Sequence, residues 1–237
     1  MFVGHYGPAF AVKALNKSIP LWLLFMAVQF VDVLFDLFAF LGVEKVRIVP
    51  GYTATSPFGH GFLYNRLDLY YMPYTHSLVA TAMWAVAAMI AYKFVPKLHT
   101  WGAAILVAGA VFSHWVLDLL VHRPDLPLYD NTAKVGLGLW NYPMPAFLFE
   151  AGVLFGGILL YLKTADTVTQ ARRYGMIVFC CVMLAIQGWF FFGPPPASDK
   201  AVAGALLLYV AFGGVAYLFE RKSQRRVEAA EAAIKKD

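Results

Sequence analysis

The sequence predicts an all-α, polytopic helical membrane protein of about six transmembrane helices plus a short N-terminal half-helix. Three observations carry that expectation. Of 237 residues, 60% are hydrophobic and only 14% charged, where a soluble domain carries about a quarter charged residues. The mean hydropathy is +0.62. Apolar runs recur along the chain, each near the ~20 residues that a bilayer requires. The net charge of +5 is spread over short loops and the tail, so it points to membrane lipids as partners and not to nucleic acid. Cys180 and Cys181 are adjacent within an apolar run. Neighbouring cysteines do not readily form a structural bridge, so they say nothing of redox compartment.

Taken in order, residues 1–19 hold His5, Gly7 and Pro8 and an apolar patch ending in Lys13 and Lys17. Pro8 suits a first helical turn, and the piece is too short to span, so it reads as a half-helix. Pro20 to Gly42 is the first span, interrupted by Asp32 and Asp36; residues 43–72 form a polar loop that includes His60 and Asp68. Further spans are expected near 73–95, 100–121, 145–163, 174–193 and 201–219. The loop 123–143 contains Gly136-Leu137-Gly138-Leu139-Trp140, and Pro194-Pro195-Pro196 opens the last loop. Residues 1–220 thus form one helical domain, and 221–237 a charged helix in the cytoplasm. The N-terminus lacks signal-peptide order, and the absence of an internal repeat speaks against an inverted-repeat transporter.

Six spans put both termini on one side. That side holds thirteen Lys and Arg residues and the other six, which places the termini in the cytoplasm and the longest loops outside. A bacterial inner membrane is the expected location.

Within this apolar frame the ionisable residues are not scattered. His114 and Asp118 are four apart on one helix face, with His122 a further turn on. At ~1.5 Å per residue from the cytoplasmic ends, Asp32 and Asp36 lie ~18 and ~24 Å up, His114 and Asp118 ~21 and ~27 Å, and His76 ~25 Å. Glu150 enters the same outer layer from above, and His5 reaches ~18 Å if its segment runs upward. An Asp at a span centre costs roughly 2.5–3.5 kcal/mol, so Asp32, Asp36, Asp118 and Glu150 unpaired would cost on the order of 10–14 kcal/mol. No Lys or Arg lies inside the spans to offset this. Bound zinc contributes ~10–16 kcal/mol in small domains, a matching size. Histidines among the acids favour zinc over magnesium or calcium. His122 is either a ligand or a rim residue, and Asp32 either a ligand or a supporting acid. His60 and Asp68 read as loop residues, and His99 falls on the cytoplasmic side.

These residues resemble the YdjM-like family of bacterial membrane-bound, metal-dependent hydrolases. The likeness rests on His5-Tyr6-Gly7, Asp32-Val33-Leu34-Phe35-Asp36, Tyr74-Thr75-His76-Ser77-Leu78, Ser113-His114-Trp115-Val116-Leu117-Asp118 and Gly136-Leu137-Gly138-Leu139-Trp140, ahead of Glu150, across about residues 4–165. That family is distantly similar to the zinc-dependent phospholipase C and zinc nuclease superfamily. The resemblance implies metal ligation by His5, Asp36, His76, His114, Asp118, His122 and Glu150. The superfamily has a histidine four residues before its glutamate, where this chain has Ala146. One or two zinc ions, or another divalent transition metal, are therefore expected in place of three.

The function expected is a membrane-embedded, metal-dependent hydrolase of phosphoester bonds in a lipid or membrane-associated substrate. Asp36, His76, His114 and Asp118 would hold the metal, Asp32 or a non-ligating carboxylate would take a proton, and Arg123 would hold a phosphate by paired hydrogen bonds. The alternative is a transporter or permease that carries protons or metal ions over the same cluster. The predicted topology has a direct check in intact cells. A cysteine at Ser56→Cys should react with a membrane-impermeant maleimide, and one at Ser223→Cys should not; the reverse pattern would invert the protein and move the site to the cytoplasmic leaflet.

Overall fold

A computed structural model describes residues 1–48, 67–94, 100–165, 168–194 and 204–234. His60, His99, Ser56 and Pro195-Pro196 lie outside those residues, so the expectations placed on them have no counterpart below.

The described chain is mostly helical. After a 3-10 turn at Val3–His5 come α1 (Tyr6–Leu15), α2 (Leu21–Val28), α3 (Phe30–Phe40), α4 (Leu78–Lys93), α5 (Trp101–Val121), α6 (Pro143–Thr164), α7 (Gln170–Phe192) and α8 (Ala205–Ile234). Two strands, β1 (Lys45–Ile48) and β2 (Leu67–Tyr71), pair antiparallel, so the all-α expectation is corrected by a small hairpin. Its strands alternate in burial, the period of two that a half-buried sheet requires. Asp68 accepts from Arg47 across the pair at 2.8 Å.

α5, α6 and α7 are each long and apolar enough to cross a membrane, and α2 with α3 makes a fourth if the bent pair is one span. Six spans were expected. The run at 73–95 yields a helix of 16 residues, because Pro73 and the Ser77 cap delay its start; His76 therefore precedes α4 instead of lying in it. The last expected span continues without a break into the charged tail as α8.

The first span is broken. α2 and α3 meet at 52° around Gln29. Two bonds to distant residues lie at the break. The Gln29 side chain turns inward and donates to the Phe2 carbonyl at 2.9 Å, and the Val28 carbonyl faces His114 Nδ1 at 2.8 Å.

The N-terminal segment is the centre of the bundle. Val3, Tyr6, Ala9 and Phe10 are buried in the main apolar cluster with Leu24, Phe25, Val107, Ala110, Leu154 and Ile158. α1 crosses α6 closely at two glycines: a Cβ on Gly157 would meet the Gly7 carbonyl oxygen at 2.2 Å, and one on Gly7 would meet that of Val153 at 2.3 Å. Small residues permit such an approach between helices in a membrane. At the other end Lys13 donates to the carbonyls of Lys17 and Ile19 at 2.8 and 2.7 Å and pairs with Glu220 of α8 at 2.6 Å. Glu220 also accepts from Leu21 N at 2.7 Å. A second apolar cluster, with Phe35, Met72, Trp115, Leu126, Trp140 and Ala146, lies around the loop end of α5. Cys180 is buried and Cys181 exposed, and both are free thiols.

Gly157→Ala should lower the detergent-solubilised protein's stability by about 1–3 kcal/mol, through overpacking against fixed backbone. Gly156→Ala, whose Cβ meets nothing within 4 Å, should be neutral or gain up to ~1 kcal/mol in helix propensity. Equal thermal shifts for both variants would show that the crossing is loose.

Candidate metal centre

The centre is built outward from α5. Its Thr100 cap accepts from Ala103 N at 3.3 Å, and the helix runs unbroken for 21 residues. His114 and Asp118 therefore sit one turn apart on its buried face. His114 Nε2 lies 3.1 Å from Asp118 Oδ2.

Three other elements meet this pair. Asp32 on α3 places Oδ1 3.3 Å from both His114 Nε2 and His76 Nε2. His76 reaches Asp118 Oδ2 at 3.7 Å. His5, ahead of α1, lies 3.2 Å from Asp118 Oδ1 and stacks on the His114 ring at 3.8 Å and 9°. The Met1 nitrogen is 2.5 Å from the same oxygen. Two groups have ligand atoms all within 4.8 Å of one another, His5–His114–Asp118 and Asp32–His76–His114. They share His114.

The orientation of the imidazoles is as informative as their distances. His114 Nδ1 faces the Val28 carbonyl, which can only accept, so the ring proton belongs there and Nε2 presents a lone pair. His122 Nδ1 faces Asp125 Oδ1 at 2.9 Å by the same logic. Its Nε2 lies 3.7 Å from Asp118 Oδ2, and its ring packs on Trp140 at 4.2 Å. His76 Nδ1 faces the Thr75 hydroxyl at 2.8 Å. A histidine tied down at one nitrogen and open at the other is the usual form of a metal ligand and its support.

The Gly136–Trp140 stretch holds the end of α5. Gly138, at φ +74°, donates to the His122 carbonyl at 2.6 Å, and Leu137 donates to that of Leu119 at 2.8 Å. These are carbonyls that a helix end leaves without intrahelical partners. Nearby, Leu78 and Val79 donate to the carbonyls of Pro127 and Leu128, which anchors the start of α4 just after His76.

Other expected site residues are placed differently. Asp36 is buried with Oδ2 unpartnered and belongs to neither ligand group, whereas Asp32 does. Among the described residues, the candidate groups thus take in Asp32 and leave out Asp36. Glu150 is buried and also outside both groups; its Oε2 accepts from Phe2 N at 2.9 Å and Gly4 N at 3.2 Å. Ala146 lies in the apolar cluster. Arg123 directly follows His122 and is half-buried, with its carbonyl against Gly136.

Two acids that the sequence left in loops support the centre. Asp125 anchors His122. Glu44 accepts from Tyr74 N, Thr75 N and Thr75 Oγ1 at 2.8, 3.0 and 2.6 Å. Burial pushes its carboxyl above the usual range, and the Thr75 hydroxyl, His76 and the two backbone N–H groups pull the other way. On α8, Tyr209 donates to Asp32 Oδ2 at 3.4 Å. No pattern in the chain announces Glu44 or Tyr209. For Asp125, spacing of three from His122 was the available signal.

The chain matches no family model, no curated protein and no solved structure.

Glu150→Ala strands two buried N–H groups, at roughly 1–3 kcal/mol each, and should lower the midpoint of thermal unfolding markedly. Glu150→Gln keeps an acceptor oxygen and should lose much less. Equal losses would show that the carboxylate's charge, and not its clasp on the N-terminal turn, is what the fold uses.

Proposed function

We propose that this chain is a membrane-embedded, metal-dependent hydrolase, with zinc as the favoured ion and a phosphoester in a lipid or membrane-associated molecule as substrate. One observation carries the metal reading: three histidines tied at Nδ1 turn Nε2 toward the buried Asp118 and the half-buried Asp32. The donor set fits the ion. Among the described residues, His5 Nε2, His114 Nε2 and Asp118 Oδ2 are buried without hydrogen-bond partners, although buried polar atoms are nearly always satisfied. Mixed imidazole and carboxylate donors are zinc's preference, with one or two ions within reach of two overlapping groups. The phosphoester and lipid parts of the proposal rest on the resemblance to the YdjM-like hydrolases, and the bacterial inner membrane with an outward-facing centre rests on the charge distribution of the loops.

A zinc ion held here would supply a water of lowered pKa, ~7, and a Lewis acid for a phosphoryl oxygen. The chain's own residues do the rest. His76, His114, Asp118 and Asp32 hold the ion, with His5 as the additional donor of the second group. Asp36, a turn beyond Asp32 and free of the ligand groups, takes the proton from the attacking water. His122, held by Asp125 and packed on Trp140, lines the rim, and Arg123 beside it steadies the phosphate. The apolar helices around the cluster exclude bulk water, which strengthens each of these interactions.

Metal analysis after chelator-free purification tests the first step, and an absence of any transition metal in the wild type would sink it. Asp32→Asn and Asp118→Asn should each remove most of the bound metal. Together they should remove little more, as ligands acting as a unit are non-additive. Asp36→Asn should keep its metal while hydrolysis of a chromogenic phosphodiester falls about 10²–10⁴-fold, the range of a lost general base. Metal loss in Asp36→Asn comparable to that in Asp32→Asn would restore Asp36 as a ligand. Uptake of radioactive zinc into proteoliposomes, abolished by Asp118→Asn, would favour the transporter class instead.

A further inference from the structure

We infer that Glu44 and Thr75 form a positioning relay that fixes the tautomer of His76 and so turns its Nε2 lone pair toward Asp32 and Asp118; the inference rests on the metal-centre reading above and extends it. The acceptors that hold His114 and His122 are a carbonyl and a carboxylate. Neither can donate, so each determines its ring's tautomer alone. His76 is different, because its Nδ1 faces a hydroxyl at 2.8 Å. A hydroxyl donates one proton and also accepts, so Thr75 by itself leaves two tautomers open.

Glu44 removes that ambiguity. Its Oε1 takes two backbone N–H groups, from Tyr74 and Thr75, which orients the carboxylate. Oε2 then accepts a hydrogen bond from the Thr75 hydroxyl at 2.6 Å. With that proton committed, Thr75 Oγ1 can only accept from His76, and the imidazole carries its hydrogen on Nδ1. Nε2 is left as a lone pair, 3.3 Å from Asp32 Oδ1 and 3.7 Å from Asp118 Oδ2. Glu44 and Thr75 are 1% and 0% exposed, so water does not compete for these bonds. The Thr75 carbonyl is also held, by the Thr81 hydroxyl at 2.9 Å, and the edge of Phe35 closes on the His76 ring at 5.1 Å and 83°. A glutamate far along the chain, in a polar stretch, is thereby part of the ligand's support.

The relay has an isosteric test. In Glu44→Gln the amide oxygen keeps the two backbone donors, and the amide nitrogen must face Thr75 and donate to it. The hydroxyl then donates onward to Nδ1, and His76 is driven to the opposite tautomer, with its hydrogen on Nε2. Nitrogen-15 NMR of histidine-labelled, metal-free protein at neutral pH reads this directly, with the His76 signals assigned by their loss in His76→Gln. Wild type should show the Nδ1–H form and Glu44→Gln the Nε2–H form. Zinc affinity of Glu44→Gln should fall about 10–100-fold, the range for a lost supporting partner. Thr75→Ser, which keeps the hydroxyl, should retain both the tautomer and the affinity, and Thr75→Val should lose both.

An Nε2–H signal in the wild type, or an unchanged tautomer in Glu44→Gln, would overturn the relay. If Glu44→Gln does not fold, the Thr75→Ser and Thr75→Val pair decides the matter alone: equal tautomers in the two would overturn it. Because the NMR measurement is made without metal, a wild type that binds no zinc but shows the expected tautomers would sink the metal-centre reading and leave the relay standing.

Discussion

Two carboxylates inside an apolar bundle, Asp32 and Asp118, are the constraint around which the rest is arranged. A charge in this setting is costly unless it is paired and hydrogen-bonded. The Met1 ammonium pairs with Asp118, and the Nε2 atoms of His76, His114 and His122 face the two carboxylates at 3.1–3.7 Å. Each element around them performs a recognisable task. α5 supplies His114 and Asp118 from one face. The break between α2 and α3 delivers Asp32 from one side of the kink and a carbonyl for His114 from the other. The N-terminal turn inserts His5, and the segment before α4 brings His76. Removing any one would leave buried charge or buried lone pairs without partners.

The arrangement also explains why so much of the surrounding loop is tied down. The Gly136–Trp140 stretch closes the carbonyl end of α5, and the Pro127 and Leu128 carbonyls close the N–H end of α4. Both helix ends carry a histidine of the cluster, so termini that would otherwise fray are held where ligand geometry requires it. A site of this kind tolerates displacement of only a fraction of an ångström, and the loop bonds supply that stiffness.

Much of the centre was legible in the sequence. The spacing of His114 and Asp118, and the common depth of His5, Asp32 and His76, follow from helix rise and from the expense of charge in a bilayer. The sequence expectation put Asp36 among the ligands and left Asp32 open, whereas the candidate ligand groups take in Asp32. Both share a helix face four residues apart, and only the 52° bend at Gln29 decides which one points at His114. The bonds at that bend reach Phe2 and His114, residues distant in sequence from the break, so no local pattern announces it. Glu44 and Asp125 were hidden for a different reason. An acid in a polar loop looks solvated until the partner it serves is known. The hairpin was missed because its strands are short and lie in a stretch read as polar loop; of the six expected spans, Pro73 and Ser77 shorten the one that gives α4, and the last runs on into the charged tail as α8.

The buried N-terminal turn has a consequence for the order of assembly. Gly4 bonds to Glu150 across 146 residues, and Phe2 to the same side chain. His5 meets Asp118 only once α5 exists. The segment at the heart of the bundle is therefore synthesised long before the helices that receive it. Its clasp on Glu150 can form only once α6 has been made, and its meeting with Asp118 only once α5 has.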